Sequence, residues 1–143
     1  GCRVWWHMAP AVPDRSVPVD ASPDPGRPLR RAARRALGAE GEALAAAWYE
    51  RAGYEVLARN WRCGAGEIDL VCRAGGTLVV CEVKTRTSAD RGTPLEAVTG
   101  AKRRRLRRLA GSWLAQQHER FEEVRFDVAA VTGGRVEVTC GAF

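Results

Sequence analysis

Between Gly66 and Arg86 the chain reads GEIDLVCRAGGTLVVCEVKTR, two apolar stretches that meet at Gly75-Gly76. Runs rich in Ile, Leu, Val, Cys and Thr on either side of a two-glycine corner predict a β-hairpin. With the glycines as turn residues, Ala74 faces Thr77, Leu70 faces Cys81, and Asp69 faces Glu82. Like charges directly across a strand pair are destabilising, and these two lie among Ile68, Leu70, Val80 and Val83, where hydration is poor. The hairpin therefore calls for something positive between them.

Side chains alternate along a strand, so Glu82 and Lys84 project on one face while Cys81 and Val83 project on the other. Asp69, Glu82 and Lys84 are expected to converge. Paired carboxylates suit Mg²⁺ or Mn²⁺, hard cations that take oxygen ligands and leave part of their shell to water and phosphate. The backbone carbonyl of Val83 is a further candidate ligand. A lysine at that point can orient or activate water, and the set as a whole suits metal-assisted phosphodiester hydrolysis.

The Asp, the Glu-x-Lys unit and the hairpin between them resemble the motif of the PD-(D/E)XK nuclease superfamily. The wider pattern resembles the YraN family, also called UPF0102, whose members look like Holliday junction resolvases in fold. It rests on four blocks in order: GAEGEALAAAWYERAGYEVLARNWR at 38–62, the hairpin, GTPLEAVTGAKRRRL at 92–106, and RFDVAAV at 125–131. The superfamily's proline before the Asp is replaced here by Ile68, but GEID is the form of the YraN family.

The resemblance implies a single restriction-endonuclease-like α/β domain over residues 32–143, a central mixed sheet of about five strands flanked by helices. It implies a metal-dependent endonuclease acting on nucleic acid, DNA before RNA, with Asp69 and Glu82 as metal ligands, Lys84 placing or activating water, and Glu42 and Lys102 in support. For Glu42 the rival is a surface pair with a nearby Arg; for Lys102, a lysine lying over the core edge. Resolvase-like proteins often act as symmetric dimers, which suggests a homodimer.

Of 143 residues, 45% are hydrophobic and 28% charged, a composition of one globular domain. No apolar run approaches the roughly 20 residues that span a bilayer, and GCRVWWHMAP lacks the apolar core of a secretory signal. The expectation is a cytoplasmic protein with no membrane role. Five widely spaced cysteines without a C-x-x-C pair argue against zinc; Cys72 and Cys81 read as small buried hydrophobes.

Residues 1–31 read as a disordered Pro- and Arg-rich leader, with Met8 a candidate start. Arg27, Arg30, Arg31, Arg34 and Arg35 form a basic arm that either touches phosphate or is a solvated tail. A helix over residues 32–52 is predicted to face the core with Leu37, Gly41, Leu44 and Trp48. Tyr54–Arg59 reads as a strand and Asn60–Gly66 as a loop. Thr87–Thr93 reads as a loop beside the active face, and Arg86 as a phosphate contact or a surface ion pair. A second helix is predicted from Thr93-Pro94 to about Glu119.

On that second helix, Lys102 falls one turn before Leu106, at the end of the buried stripe. Arg103, Arg104, Arg105, Arg107 and Arg108 cover its other faces. The net charge of +6 is carried mainly by the leader, so this local cluster is the better sign of a polyanion partner. Residues 125–132 and 135–139 read as a closing hairpin, with Asp127 in a structural role. Two other functions remain open: a non-catalytic nucleic-acid-binding protein on a nuclease fold, and an adaptor that binds protein through the Arg-rich helix.

Overall fold

Along Thr77–Arg86 the alternation of side chains serves two cores at once. Leu78 and Val80 enter one apolar cluster, while Val79 and Cys81 enter another on the opposite side. A strand covered on both faces is apolar throughout, as this one is up to Cys81. The computed structural model describes residues 26–87 and 92–143. Its elements are α1 (Arg27–Arg51), β1 (Glu55–Cys63), β2 (Gly66–Ala74), β3 (Thr77–Arg86), α2 (Gly100–Ala115), β4 (Glu123–Thr132) and β5 (Arg135–Thr139).

The five strands form one sheet in the order β1-β2-β3-β4-β5. β3 and β4 run parallel and the other neighbours antiparallel, so the sheet is mixed. The parallel pair needs a crossover, and α2 supplies it. α2 packs Leu106, Leu109, Ala110 and Trp113 against Ile68, Leu78, Val80, Phe126 and Val128. α1 packs Ala45, Ala46 and Tyr49 against Leu70, Cys72, Val79, Cys81 and Ala129 on the other face. The predicted α/β architecture is what the chain adopts, and Cys72 and Cys81 are buried apolar residues within it.

The register Leu70↔Cys81 and Ala74↔Thr77 is the predicted one, and β4 and β5 meet around Gly133-Gly134 as expected. Other boundaries moved. α1 begins at Arg27, ahead of the predicted start at 32. Its buried face is Gly41, Ala45, Ala46 and Tyr49, whereas Leu37 is 41% exposed. Trp48 is only half-buried and meets Tyr49 edge-on with ring centroids 5.0 Å apart. Small residues win this face because they let the helix approach the sheet, and Tyr49 wins over Trp48 because its hydroxyl finds a buried partner, Asp127.

β1 continues through the predicted loop to Cys63, accommodating Asn60 at φ 50°. α2 is shorter than predicted: residues 93–98 form a separate turn, and Thr99 caps the helix by accepting the Lys102 backbone N–H at 3.3 Å. The cap is the stronger start signal, since its oxygen satisfies a donor that proline would only have removed. The residues before 26, including Cys2 and Met8, and most of the loop after Thr87 lie outside the described residues.

Gly41 is where α1 touches β3. A Cβ there would lie 2.0 Å from Thr85 Oγ1 and 3.2 Å from Thr85 Cβ. Gly41→Ala is expected to lift the helix from the sheet, cost roughly 1–3 kcal/mol in chemical unfolding, and displace the neighbouring Glu42.

Candidate active site

The hairpin ladder stops at Leu70↔Cys81. Beyond it, β3 continues against β4, with Glu82 opposite Val128. Asp69 and Glu82 are thus not the facing ladder pair that the glycine corner predicts. Instead Asp69 Oδ2 accepts a hydrogen bond from the Val83 backbone N–H at 2.8 Å, so a carboxylate takes the place of a strand carbonyl. β2 also turns over here: Ile68 packs on the α2 side and Leu70 on the α1 side, although residues two apart in a regular strand share a face. The irregular Asn60 lies at the same level of β1, between Arg59, partner of Leu70, and Trp61, partner of Ile68.

Into this opening come three carboxylates. One ligand oxygen each from Glu42, Glu67 and Asp69 lies within 4.8 Å of the others. Glu42 is delivered by α1 one residue after the tight contact at Gly41. Glu67 was not among the sequence candidates, yet it sits two before Asp69, the spacing that returns a side chain to the same face of a strand, and that was its available signal. Its Oε2 also accepts from Arg62 Nε at 2.8 Å. Gly66, with φ 143°, starts the strand beneath Arg105 and Leu109, whose side chains would lie 3.4 Å from any Cβ there.

Burial and the negative charge of Glu82 push the Asp69 carboxyl up to about 8. The Val83 N–H opposes that rise, and Glu42 and Glu67 add to it.

Glu82 stands outside the three-acid cluster. It is buried, and its Oε1 lies 3.3 Å from both Lys84 Nζ and Lys102 Nζ. Two amines sharing one carboxylate do not hold their protons equally. Burial opposes the Lys84 ammonium, but hydrogen bonding to Lys102 and the charge of Glu82 outweigh it, and its pKa rises. Lys102 falls below its ordinary value, through burial and then its contact with Lys84.

The acids lie between two cavities. One of about 240 Å³ is lined by Asp69, Glu67, Glu82, Lys102 and Arg105. The other, of about 560 Å³, is lined by Arg34, Glu42, Val83 and Lys84 among others. The structure thus gathers Asp69, Glu82, Lys84, Lys102, Val83 and Glu42 in one region.

It does not gather all the arginines. Arg105 borders the smaller cavity, and Arg104 and Arg108 are exposed. Arg103 lies over the Phe143 ring at 5.3 Å and donates to the Val98 carbonyl at 3.1 Å, while Arg107 lies over Phe126 at 5.0 Å. Arg86 donates to the Gly92 carbonyl at 2.5 Å and lines a separate cavity with Leu37 and Thr85. Asp127, fully buried, accepts from Tyr49, Arg125 and the Gly141 backbone, a structural role as the sequence implies.

No described helix is long and apolar enough to cross a membrane. Residues 41–131, which contain all four acids and both lysines, match the uncharacterised protein family UPF0102. A UPF0102 protein of Beutenbergia cavernae is 57% identical over 99 residues, covering 69% of this chain and 84% of its own length. One of Nocardia farcinica is 53% identical over 98 residues, covering 68% and 77%. One of Acidothermus cellulolyticus is 47% identical over 126 residues, covering 78% and 96%. Matching blocks, matched span and these identities together make this chain a member of family UPF0102.

Proposed function

We propose that this protein is a metal-dependent nuclease that hydrolyses phosphodiester bonds of nucleic acid, with DNA the favoured polymer. The observation that carries the reading is the meeting of Glu42, Glu67 and Asp69 within 4.8 Å, next to a carboxylate held by two lysines. The donor set fits a hard divalent cation: all oxygen, partly buried, and mutually repelling, so that the Asp69 carboxyl loses its proton only reluctantly without a positive partner. Mg²⁺ or Mn²⁺ held there would polarise a phosphoryl oxygen and lower the pKa of an attacking water.

The chain's own residues do the rest. The Val83 N–H fixes the orientation of Asp69. Glu82 aligns both amines beside the acids, Lys102 on the smaller cavity and Lys84 on the larger, where they would orient a water and meet a phosphate. Arg105 supplies a positive wall to the smaller cavity. Among the described residues nothing in the site resembles a base-reading element, so affinity without sequence preference and with strong salt dependence is expected.

A second reading, a nucleic-acid-binding protein without turnover, draws on one observation: Glu82 is engaged by lysines rather than placed with the three acids. A panel of branched, single-stranded and duplex DNA and RNA, with and without Mg²⁺ or Mn²⁺, separates the two. Cleavage that needs metal and falls roughly 10²- to 10⁴-fold in Lys102→Ala and Lys84→Ala supports the nuclease. Binding without cleavage in either metal leaves the second reading standing.

A further inference from the structure

The first three turns of α1 reach past the sheet. Every residue from Arg27 to Leu37 is exposed, and burial against the sheet begins only at Gly41. A stretch of helix that touches no core needs another reason to be there, because short helices gain most of their stability from packing. Its sequence, RPLRRAARRALGA, holds five arginines and no acid.

Those arginines are in phase. Arg27, Arg31 and Arg34 follow the helical repeat, with Arg30 and Arg35 beside them, and the same repeat continues through Gly38 and Gly41 to Ala45. The stripe is therefore the outward continuation of the face that packs on the sheet, and Glu42 lies on its flank. At a rise of 1.5 Å per residue, Arg27 stands roughly 22 Å along the axis from Glu42. The inner end of the stripe reaches the site: Arg34 lines the larger cavity together with Glu42 and Lys84. Like charges three and four apart on a helix repel, a cost that a polyanion laid along the stripe removes.

We propose that residues 27–35 are a backbone-binding arm, whose five arginines hold successive phosphates of a nucleic-acid strand and lead it to the acid cluster. Arg34 is the innermost contact, and Arg105 faces the strand from α2 across the acids. The proposal rests on the nuclease reading for the identity of the polyanion. Charge complementarity favours nucleic acid over a bilayer, since the face opposite the arginines is mostly alanine, with only Leu29 and Leu37 as large apolar groups.

The test uses the full chain with Arg27→Gln, Arg30→Gln, Arg31→Gln and Arg35→Gln combined. Glutamine keeps nearly the helix propensity of arginine, and circular dichroism and thermal unfolding should be unchanged because these residues lie off the core. Binding of labelled single-stranded and duplex DNA is followed by fluorescence anisotropy in chelator across a salt series, with mass measured by sedimentation. The expected result is an affinity loss of tenfold or more and a salt slope shallower by roughly 3.6 on duplex and roughly 2.8 on single strands, at about 0.9 and about 0.7 per lost phosphate contact. Equal affinity and slope in the two proteins overturns the arm, as does absence of salt-sensitive binding by the unaltered chain.

A fall in mass in the variant with the slope retained also overturns it, in favour of contact with a second copy. Anionic phospholipid vesicle binding that is lost in Leu29→Ala, with the DNA slope unchanged, overturns it in favour of a membrane surface. Metal-dependent cleavage separates the two readings: loss of binding in the variant with no cleavage by the unaltered chain keeps the arm and removes the nuclease, whereas cleavage with binding undiminished in the variant does the reverse.

Discussion

Asp69→Asn is expected to abolish cleavage and, at the same time, to make the protein more stable. The loss should be on the order of 10²- to 10³-fold or greater, as for removal of a preorganised electrostatic group. The gain follows from what the fold does to this carboxyl. Its ordinary value is 3.8, and the folded environment raises it to about 8. Well below 3.8 the group is protonated in both folded and unfolded chains and contributes nothing.

Between about 4 and about 8 the unfolded chain releases the proton while the folded chain keeps it. Stability is therefore lost as pH rises through that window, and the full cost stands above 8. Asparagine carries no such cost, so its advantage grows over the same window and reaches ~2 kcal/mol at pH 8 once relaxation of the site is allowed for. Denaturant titrations of both proteins at pH 4 and pH 8 measure it. Mg²⁺ should raise the unfolding temperature of the unaltered protein at pH 8 and leave that of Asp69→Asn nearly unmoved. Equal stability of the two proteins at both pH values would show that Asp69 is not the strained acid described here.

Asp127→Ala should be the most damaging single change in the core. The side chain is fully buried and takes four hydrogen bonds: from Tyr49 Oη at 2.7 Å, from Arg125 Nε and Nη2 at 2.9 Å each, and from the Gly141 N–H at 3.0 Å. Those bonds tie α1, β4 and the segment after β5 together. Hydrogen bonding to Asp127 is also the main reason that the Arg125 pKa is raised. Removing the carboxylate leaves a buried phenol and an amide without an acceptor and strips the Arg125 guanidinium of its charged partner, with only the Tyr54 hydroxyl remaining to it at 2.8 Å, a loss of roughly 3–5 kcal/mol.

For a chain of this size that corresponds to a fall of roughly 10–20 °C in the unfolding temperature. Asp127→Asn should recover only part of the loss, because one of its two terminal atoms becomes a donor facing donors. A drop of less than a few degrees in Asp127→Ala would show that the network is dispensable.

How much of this could be read from residues alone depended on how local the governing physics is. The hairpin register followed from a two-glycine corner and strand alternation, both settled within a few residues of chain, and it held from Ala74 to Leu70. Helical periodicity placed Lys102 at the end of the buried stripe in the same way, whereas its approach to Glu82 came from the packing of α2 on the sheet. The α2 start was also a local matter, in which the Thr99 cap prevailed over Pro94.

What the one-dimensional pattern did not contain was the departure from regularity at Asp69. A strand that turns over between Ile68 and Leu70, beside an Asn60 with positive φ, is specified by packing of two helices on opposite faces of one sheet. No spacing rule along a single strand expresses that. For the same reason Glu67, rather than Glu82, joined Asp69 and Glu42, while Glu82 went to the lysines. Likewise Tyr49 displaced Trp48 from the core because its hydroxyl meets Asp127, seventy-eight residues away. Residue types and periodicity determined which strands, helices and charged groups this chain would have; only the long-range contacts, through close packing and the need to satisfy buried polar groups, decided which acids would stand together.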